Sequence, residues 1–387
     1  MEEDIYDRSV ELHTRLKGKI TVRGKQEITG LHDLSLVYSP GVARPSELIS
    51  KDHAKAYDLT WKGNSIAVVS DGSAVLGLGN IGPEAALPVM EGKAMLFSQL
   101  AGIDAIPLCV ATQNTDEIVA IVRALAPTFG GINLEDIAAP RCFEIEKALQ
   151  DIGIPVFHDD QHGTAIVVLA GLINALKVVG KHMADCTVVI NGAGAAGSAI
   201  AHFLLQGTGE FSAPRNLIIC DSHGIISSTR TDLTEDKQNL VAITNKENME
   251  GSVRDALMGA DIFVGVSRGG LLHAEDIAIM NKDAIVFALA NPTPEITPDE
   301  ARAGGAVIVA TGRSDFPNQV NNVLAFPGIF RGALDSRAQR ITPAMQYAAS
   351  KAIADLVSHP TADRILPGPL DPTVVPAVAK AVAKHSK

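Results

Sequence analysis

The sequence predicts an α/β protein: an N-terminal parallel-sheet domain followed by a Rossmann-type, doubly wound dinucleotide-binding domain. Three observations carry this expectation. Apolar, β-branched runs alternate with helix-length segments from Ser65 to Gly312, a rhythm that calls for crossover helices and hence parallel strands. One of these runs ends in Gly192-Ala193-Gly194-Ala195-Ala196-Gly197, immediately before a helical pattern. The length, 387 residues, suits two domains of ~150 residues or somewhat more.

Taken in order, residues 1–60 are polar and mixed, with short helical patterns. The run 65–70 (SIAVVS) reads as the first strand and leads into a Gly-rich turn. Pro83, after Gly82, can open a helix at its first position, and that helix extends to about residue 100. Residues 104–110 form a second strand. Asn114 and Thr115 can cap the next helix, whose first turn carries Asp116 and Glu117 in accord with the helix dipole. A third strand at 129–136, a helix at 140–150 and a fourth strand at 154–160 follow. A long apolar helix at 163–179 marks the hinge, and the domains divide as 1–162 and 163–387. In the second block 186–194, 216–221, 260–267, 284–291 and 306–312 read as strands between helices. The tail from residue 342 has helical spacing and is expected to pack back onto one of the domains.

Composition removes several classes of function. There are 44 acidic and 33 basic residues, a net charge of −11, and no basic stripe, so neither a phosphate backbone nor an anionic membrane surface is an expected partner. Aromatic residues are only 4%, too few for stacking platforms under single-stranded nucleic acid. The start, MEEDIYDRS, lacks the cationic and apolar regions of a signal peptide. The longest unbroken apolar run, 163–173, is short for a bilayer span. Cys109, Cys142, Cys186 and Cys220 form no CxxC pair and are expected as buried or strand thiols in a reducing, cytoplasmic setting.

The glycine motif has a mechanical logic. Gly192 makes the tight turn, Gly194 lets a pyrophosphate approach the backbone, and Gly197 allows close packing of helix on strand, with the helix N-terminus at Ala195 and Ala196 facing the anion. The next strand ends at Asp221, where an acid would hold a ribose 2′-hydroxyl. With no Arg directly after it and Arg230 further away, Asp221 favours NAD over NADP, although NADP stays possible. Glu135-Asp136 and Asp159-Asp160 each end a predicted strand, so parallel strands bring all four to one edge. Clustered oxygen ligands suit Mg²⁺ or Mn²⁺; the competing reading is of helix caps and solvated loop acids. His158 and His162 lack zinc spacing and read as loop histidines. The Gly-spaced loop 71–82 could cradle an anion on its N–H groups, though it lacks the Lys-Ser/Thr ending of a P-loop. Lys93 lies among Val89, Met90, Ala94, Leu96 and Phe97; desolvation would lower its pKa and fit it for base catalysis, whereas a snorkelling surface lysine is the plainer alternative. Tyr38 precedes a Pro-Gly turn and could donate a phenolic proton or simply pack.

Together these stretches resemble the malic enzymes in their short, prokaryotic form. The likeness covers roughly Leu31 to Gln346 and is carried by YSPGVA (38–43), DGSAVLGLGNIGPEAALPVMEGKAMLF (71–97), GGINLEDIAAPRCFEIE (130–146), FHDDQHGTAIV (157–167), NGAGAAG (191–197), ALANPTPEI (288–296) and TGRSDFPNQVNNVLAFPGIFRGAL (311–334). The resemblance implies oxidation of L-malate by NAD(P)⁺ with decarboxylation to pyruvate, using Mg²⁺ or Mn²⁺. It implies Lys93 as general base, in a neutral form, Tyr38 as general acid, Asp159 as support for the lysine, and Glu135, Asp136 and Asp160 as metal ligands. Asn291, Asn321 and Asn322 match amides that touch substrate or nicotinamide, and Asp221 matches the ribose position. Longer, eukaryotic-type relatives carry an Arg in the loop matching 71–76, where this chain has Ala74. The substrate carboxylate is then expected on the loop around Ser73, Ala74 and Val75, through N–H groups. The resemblance further implies a homodimer that exchanges the tyrosine-bearing N-terminal segment and can pair into a tetramer. A malolactic reaction, or a plain 2-hydroxy-acid dehydrogenase, is the alternative on the same scaffold. A non-catalytic nucleotide sensor would keep the glycines without needing Lys93 and four carboxylates.

Overall fold

The computed structural model describes residues 5–75, 77–207 and 211–386. Its first sheet is wholly parallel. β1 (Ser65–Ser70), β2 (Asp104–Cys109), β3 (Gly131–Leu134) and β4 (Val156–His158) lie in the order β2-β1-β3-β4. Ile66 stands beside Ala105 on one side and Gly131 on the other. All six residues of β1 are buried, as expected of a central parallel strand covered on both faces.

The second sheet comprises β5 (Thr187–Asn191), β6 (Asn216–Asp221), β7 (Gly224–Ile225), β8 (Ile262–Gly265), β9 (Ala284–Ala288) and β10 (Ala306–Thr311), in the order β10-β9-β8-β5-β6-β7. It is parallel except for β7, which turns back antiparallel on β6; a two-residue strand leaves no period to read in sequence. The strand order reverses at β1/β3 in the first sheet and at β5/β8 in the second. Each reversal opens a crevice beyond the carboxyl ends of the strands.

One apolar core joins the two sheets. The helix Thr164–Val179 has Ala165 to Leu172 buried without a break. Around it gather Ile66, Val68 and Phe157 from the first sheet and Val188, Ile190, Ile285 and Phe287 from the second. Joined to the π turn Asp159–Gly163, it forms a 21-residue helical stretch, longer than the apolar run alone suggests; its most apolar 18-residue window has a mean hydropathy of 1.7, and 67% of that window lies inside the protein. An all-round apolar helix of this kind needs burial, and here the two sheets supply it.

The tail returns to the first sheet. In the helix Phe326–Asp335, Phe326 and Phe330 stand 4.7 and 5.4 Å from the ring of Phe97, and Phe330 stands 6.0 Å from Phe157. Asn174 at the core ties later residues down by donating to the carbonyls of Ala354 and Ile365. The N-terminal segment contrasts with this packing. The helices Ile5–Leu16, Leu31–Val37 and Ala43–Lys51 contain no buried residue, while Ile5, Tyr6, Val10, Val22 and Leu31 are open to solvent.

Candidate active site

The crevice of the first sheet is built from strand ends. β3 delivers Glu135 and Asp136, β4 delivers Asp159 and Asp160, and the helix Pro83–Ala101 lays Lys93 across them. Lys93 Nζ lies 2.5 Å from Asp159 Oδ2 and 2.8 Å from Glu135 Oε1. The Lys93 side chain is 10% exposed, Glu135 9% and Asp159 not at all, so this is a buried cluster and not a surface ion pair. The ring of Phe326 covers the ammonium at 4.0 Å. Glu135, Asp136 and Asp160 each present an oxygen within 4.8 Å of the others. Among the described residues no other group of three or more Asp, Glu, His or Cys is so disposed. Three carboxylates at that spacing repel unless a cation joins them, and all-oxygen donors fit Mg²⁺ or Mn²⁺.

Local backbone features aim these groups. Asp136 adopts a left-handed φ of 54°, an unfavourable conformation for a non-glycine residue that typically marks a constrained site; its N–H donates to Asp160 Oδ2 at 2.8 Å. Asp159 to Gly163 form a π turn, a local widening of the helix often found at functional sites. A Cβ on Gly163 would sit 1.9 Å from Asp159 Oδ1. Glycine is therefore required there for steric reasons alone: it makes room for the carboxylate that meets Lys93.

Electrostatics reverse one expectation. Burial opposes the Lys93 ammonium, but the charges of Asp159 and Glu135 outweigh it, so the lysine holds its proton more tightly than usual. The sequence suggested the opposite, a lysine pushed down by apolar neighbours. Those neighbours lie along the helix, while the charges that govern the amine come from β3 and β4. Burial raises Glu135 well above the ordinary carboxylate range and raises Asp159 as well, with Lys93 opposing both shifts.

The loop after β1 also differs from expectation. Its N–H groups are largely spent on internal partners: Ser73 donates to Asp71 Oδ1, Ala74 to the Asp136 carbonyl beyond β3, Val75 to the Gly79 carbonyl, and Ile81 and Gly82 both to the Gly72 carbonyl. The Ser73 hydroxyl donates to Asp71 and accepts from Ala138 N and Arg141 Nη2. Arg141 reaches the fully buried Asp71 at 2.8 Å. A loop this tight satisfies its own donors, which leaves few for a bound anion. Arg141 escaped the sequence reading because its partners are distant in the chain; its position just after Pro140 at a helix start was the available signal.

The three asparagines take different places. Asn322 donates to Asp159 Oδ2 at 3.2 Å, and its Oδ1 accepts from Thr164 Oγ1, so it holds the lysine's partner. Asn321 accepts from Val323 N and caps a short turn. Asn291, exposed after β9, lies close to the first-sheet loop, its carbonyl 3.1 Å from where a Cβ on Gly77 would stand. Tyr38 is not brought to the cluster: it is 69% exposed, on the segment that buries nothing. His162 Nε2 pairs with Glu146 at 2.8 Å, and His158 is fully buried with a ring nitrogen 3.7 Å from Asp160. Asn133, within β3, donates to Glu135 Oε2 at 2.8 Å; a polar residue inside an apolar strand was the signal for it.

The crevice of the second sheet is a cleft of about 820 Å³ lined by Gly192, Ala193, Gly194, Asp221, Ser222 and Lys237, among others. Gly192 has φ 123°, and a Cβ there would meet the Val266 carbonyl at 2.6 Å. A Cβ on Gly197 would lie 1.7 Å from the Gly192 carbonyl, while one on Gly194 would point into open space. The glycines thus play the three parts a dinucleotide loop asks of them, and the residues fit a pyrophosphate. Ala195 and Ala196 open the helix Ala195–Gln206. Behind the cleft the wholly buried Glu295 accepts from Ser267 N and Ala290 N, joining the loops after β8 and β9; only its place three residues after Pro292 hinted at this.

Comparison with known proteins agrees with this architecture. Family models described as the malic enzyme N-terminal domain and the malic enzyme NAD-binding domain match residues 17–115 with 111–150, and 161–386, respectively. The chain is 56% identical to a bifunctional malic/malolactic enzyme of Bacillus subtilis, over 98% of this chain and 92% of that one. It is 53% identical to an NAD-dependent malic enzyme of Geobacillus stearothermophilus, over 98% and 79%. Among solved structures, the NAD-dependent malic enzyme of Thermotoga maritima superposes with a TM-score of 0.93 at 49% identity, covering 97% of this chain and 98% of that one. The malic enzyme of Pyrococcus horikoshii gives 0.94 at 48%, covering 99% and 90%. On fold, matched domains and identity over nearly its whole length, the chain belongs to the malic enzyme family.

Proposed function

We propose that this chain oxidises L-malate and decarboxylates it to pyruvate and CO₂, reducing NAD⁺ or NADP⁺ with the help of Mg²⁺ or Mn²⁺. The observation that carries the reading is the Lys93 cluster: one buried lysine bonded to Asp159 and Glu135, beside three carboxylates that could share a cation. In this reading residues 1–162 bring the lysine, the tyrosine and the metal ligands, and residues 163–387 bring the dinucleotide cleft together with the aromatic cover over Lys93. Bound at Glu135, Asp136 and Asp160, a divalent ion would polarise the substrate hydroxyl and carry developing negative charge, while the nicotinamide would accept hydride.

The protein's own groups account for the proton transfers. Lys93 takes the hydroxyl proton, and Asp159, fixed by Asn322, holds the amine in place. The charge balance decides when Lys93 can act. With the carboxylates unshared it stays protonated. With Glu135, Asp136 and Asp160 sharing their charge with a cation, less negative charge holds the ammonium, and the neutral amine becomes easier to reach. Phe326 and the apolar core keep water from that amine. Tyr38 then donates a proton to the carbon left by CO₂. Because Tyr38 stands exposed on its own chain, we place it in the site of a second copy, in a homodimer whose N-terminal segments are exchanged. The exposed apolar residues of that segment support the exchange.

The name of the Bacillus subtilis relative favours a second reading, in which the same site also converts malate to lactate without net cofactor reduction. One assay separates the readings: malate with NAD⁺ or NADP⁺, with and without Mn²⁺, following reduced cofactor, CO₂, pyruvate and lactate. Equal amounts of reduced cofactor, CO₂ and pyruvate are expected. Lactate with CO₂ but no reduced cofactor identifies the malolactic reaction, and cofactor reduction without CO₂ identifies a plain dehydrogenase.

A further inference from the structure

Three polar side chains outside the two crevices are buried and unpaired. Gln161 is 3% exposed, Ser198 6% and Gln346 8%. Among the described residues none of the three makes a side-chain hydrogen bond, and Nε2 of Gln161 is wholly enclosed. Burying an amide or hydroxyl without a partner is costly, so three at one place call for a reason. They arrive from distant parts of the chain: the π turn Asp159–Gly163, the helix Ala195–Gln206 and the helix Pro343–Asp355. All three line one pocket of about 420 Å³, within the range of ~300–1,000 Å³ typical of small-molecule sites.

The remaining walls narrow the chemistry of an occupant. Phe143 comes from the helix Arg141–Ala148, between β3 and β4, and Phe203 from the helix Ala195–Gln206, between β5 and β6. The pocket therefore lies between elements of the two sheets, with an aromatic ring from each side. Such rings stack on the face of a planar base. A carboxamide offers a donor and an acceptor side by side, the pattern that pairs with the N6/N7 edge of adenine. Besides Gln161 and Gln346, two more carboxamides, Gln206 and Asn239, stand at the exposed rim. No lysine or arginine lines the pocket, whereas Asp236 does, so a phosphate or carboxylate would meet no permanent positive charge. The dinucleotide cleft differs in this respect, since Lys237 and Arg268 line it.

We propose that this pocket binds an uncharged purine nucleoside, held by Gln161, Ser198 and Gln346 and stacked against Phe143 and Phe203. The site takes no part in the reaction proposed above and stands whether or not that reading holds. Its neighbour is the dinucleotide cleft, with which it shares Phe143 and Asp236, so the two must be shown to fill independently.

The test is equilibrium dialysis of the full-length protein against labelled adenosine, alone and with NAD⁺ or NADP⁺ at saturation. One adenosine per chain is expected in each case. Phe203→Ala and Gln346→Leu should each raise the adenosine Kd by at least about tenfold, the scale of one lost stacking or paired-amide contact, and leave the dinucleotide Kd unchanged. Gln346→Leu also removes an unpaired buried amide, so its denaturation midpoint should hold or rise. A fall would show that the amide serves the fold, and would overturn the assignment. Absence of binding at millimolar adenosine overturns the proposal. So does displacement of adenosine by the dinucleotide, which would place it in the cleft, and so does wild-type adenosine affinity in either variant.

Discussion

At the edge of the first sheet one lysine faces four carboxylates, whereas at the edge of the second one carboxylate is gripped by two cations. Both edges are topological switch points of parallel strands, and both end their strands in acidic residues. What differs is the sign of the charge each leaves uncompensated. The first edge is negative and buried, a demand that a divalent cation would meet. The second is nearly neutral, since Asp221 is paired with Arg230 and Lys237, and it opens into a cleft that suits an anion. The same secondary structure therefore specifies opposite ligands, and the choice is made by residues that arrive from elsewhere in the chain: Lys93 from a helix, Arg230 and Lys237 from beyond β7.

If the first edge holds the chemistry, a single substitution there should cost most. Lys93→Ala should lower kcat by roughly 10³-fold, the range expected for removing a positioned base, with dinucleotide affinity kept. Tyr38→Phe should also impair turnover. Mixing the two variants after dissociation then tests where Tyr38 acts. Mixed dimers would hold one site with both residues intact, and random pairing should restore about a quarter of wild-type activity. No recovery on mixing would place Tyr38 and Lys93 in service of the same chain and end the exchange model.

A smaller effect separates geometry from chemistry at the same edge. Gly163→Ala changes no charge and no φ, yet its methyl group would meet Asp159 Oδ1. Displacing that carboxylate by about an ångström should cost on the order of 10²-fold in kcat. Calorimetric NAD⁺ affinity, read at the other edge, should not follow. Parallel loss of both would mean that the π turn supports the whole interface between the sheets and not the lysine alone.

Much of this organisation was legible in the sequence, and the parts that were not share a cause. The parallel strands of both sheets stood out because buried parallel strands are continuous apolar runs, whereas the two-residue antiparallel β7 did not. The four carboxylates were readable as one cluster because parallel strands must end at a common edge. What escaped depends on side chains far apart in sequence. Arg141 locks the Ser73 loop from 68 residues away, and that loop consumes the N–H groups expected to bind an anion. Lys237 reaches Asp221 across 16 residues and engages an acid that local sequence leaves open. The ion pairs of Lys93 escaped for the same reason, since its helical neighbours are apolar while its charged partners lie at the ends of other strands.

The mildest prediction tests whether the second edge is balanced without a ligand. Arg230 and Lys237 hold the Asp221 carboxyl well below the usual carboxylate range against the opposing effect of burial. A carboxyl depressed in this way stabilises the folded chain at every pH above its unfolded pKa of ~3.9, and the contribution disappears as pH falls toward the lower native value. Asp221→Asn should therefore destabilise the protein by about 2 kcal/mol at pH 7. The difference in denaturation midpoint from wild type should hold constant down to about pH 5 and narrow below pH 4. Narrowing between pH 6 and 8 would instead show that a group other than Asp221 governs the gap. A constant gap throughout would mean that the pairing matters through packing and not through charge. In either case the contrast between the edges would weaken, because the second would no longer be an ion-pair network that stands complete before any anion arrives.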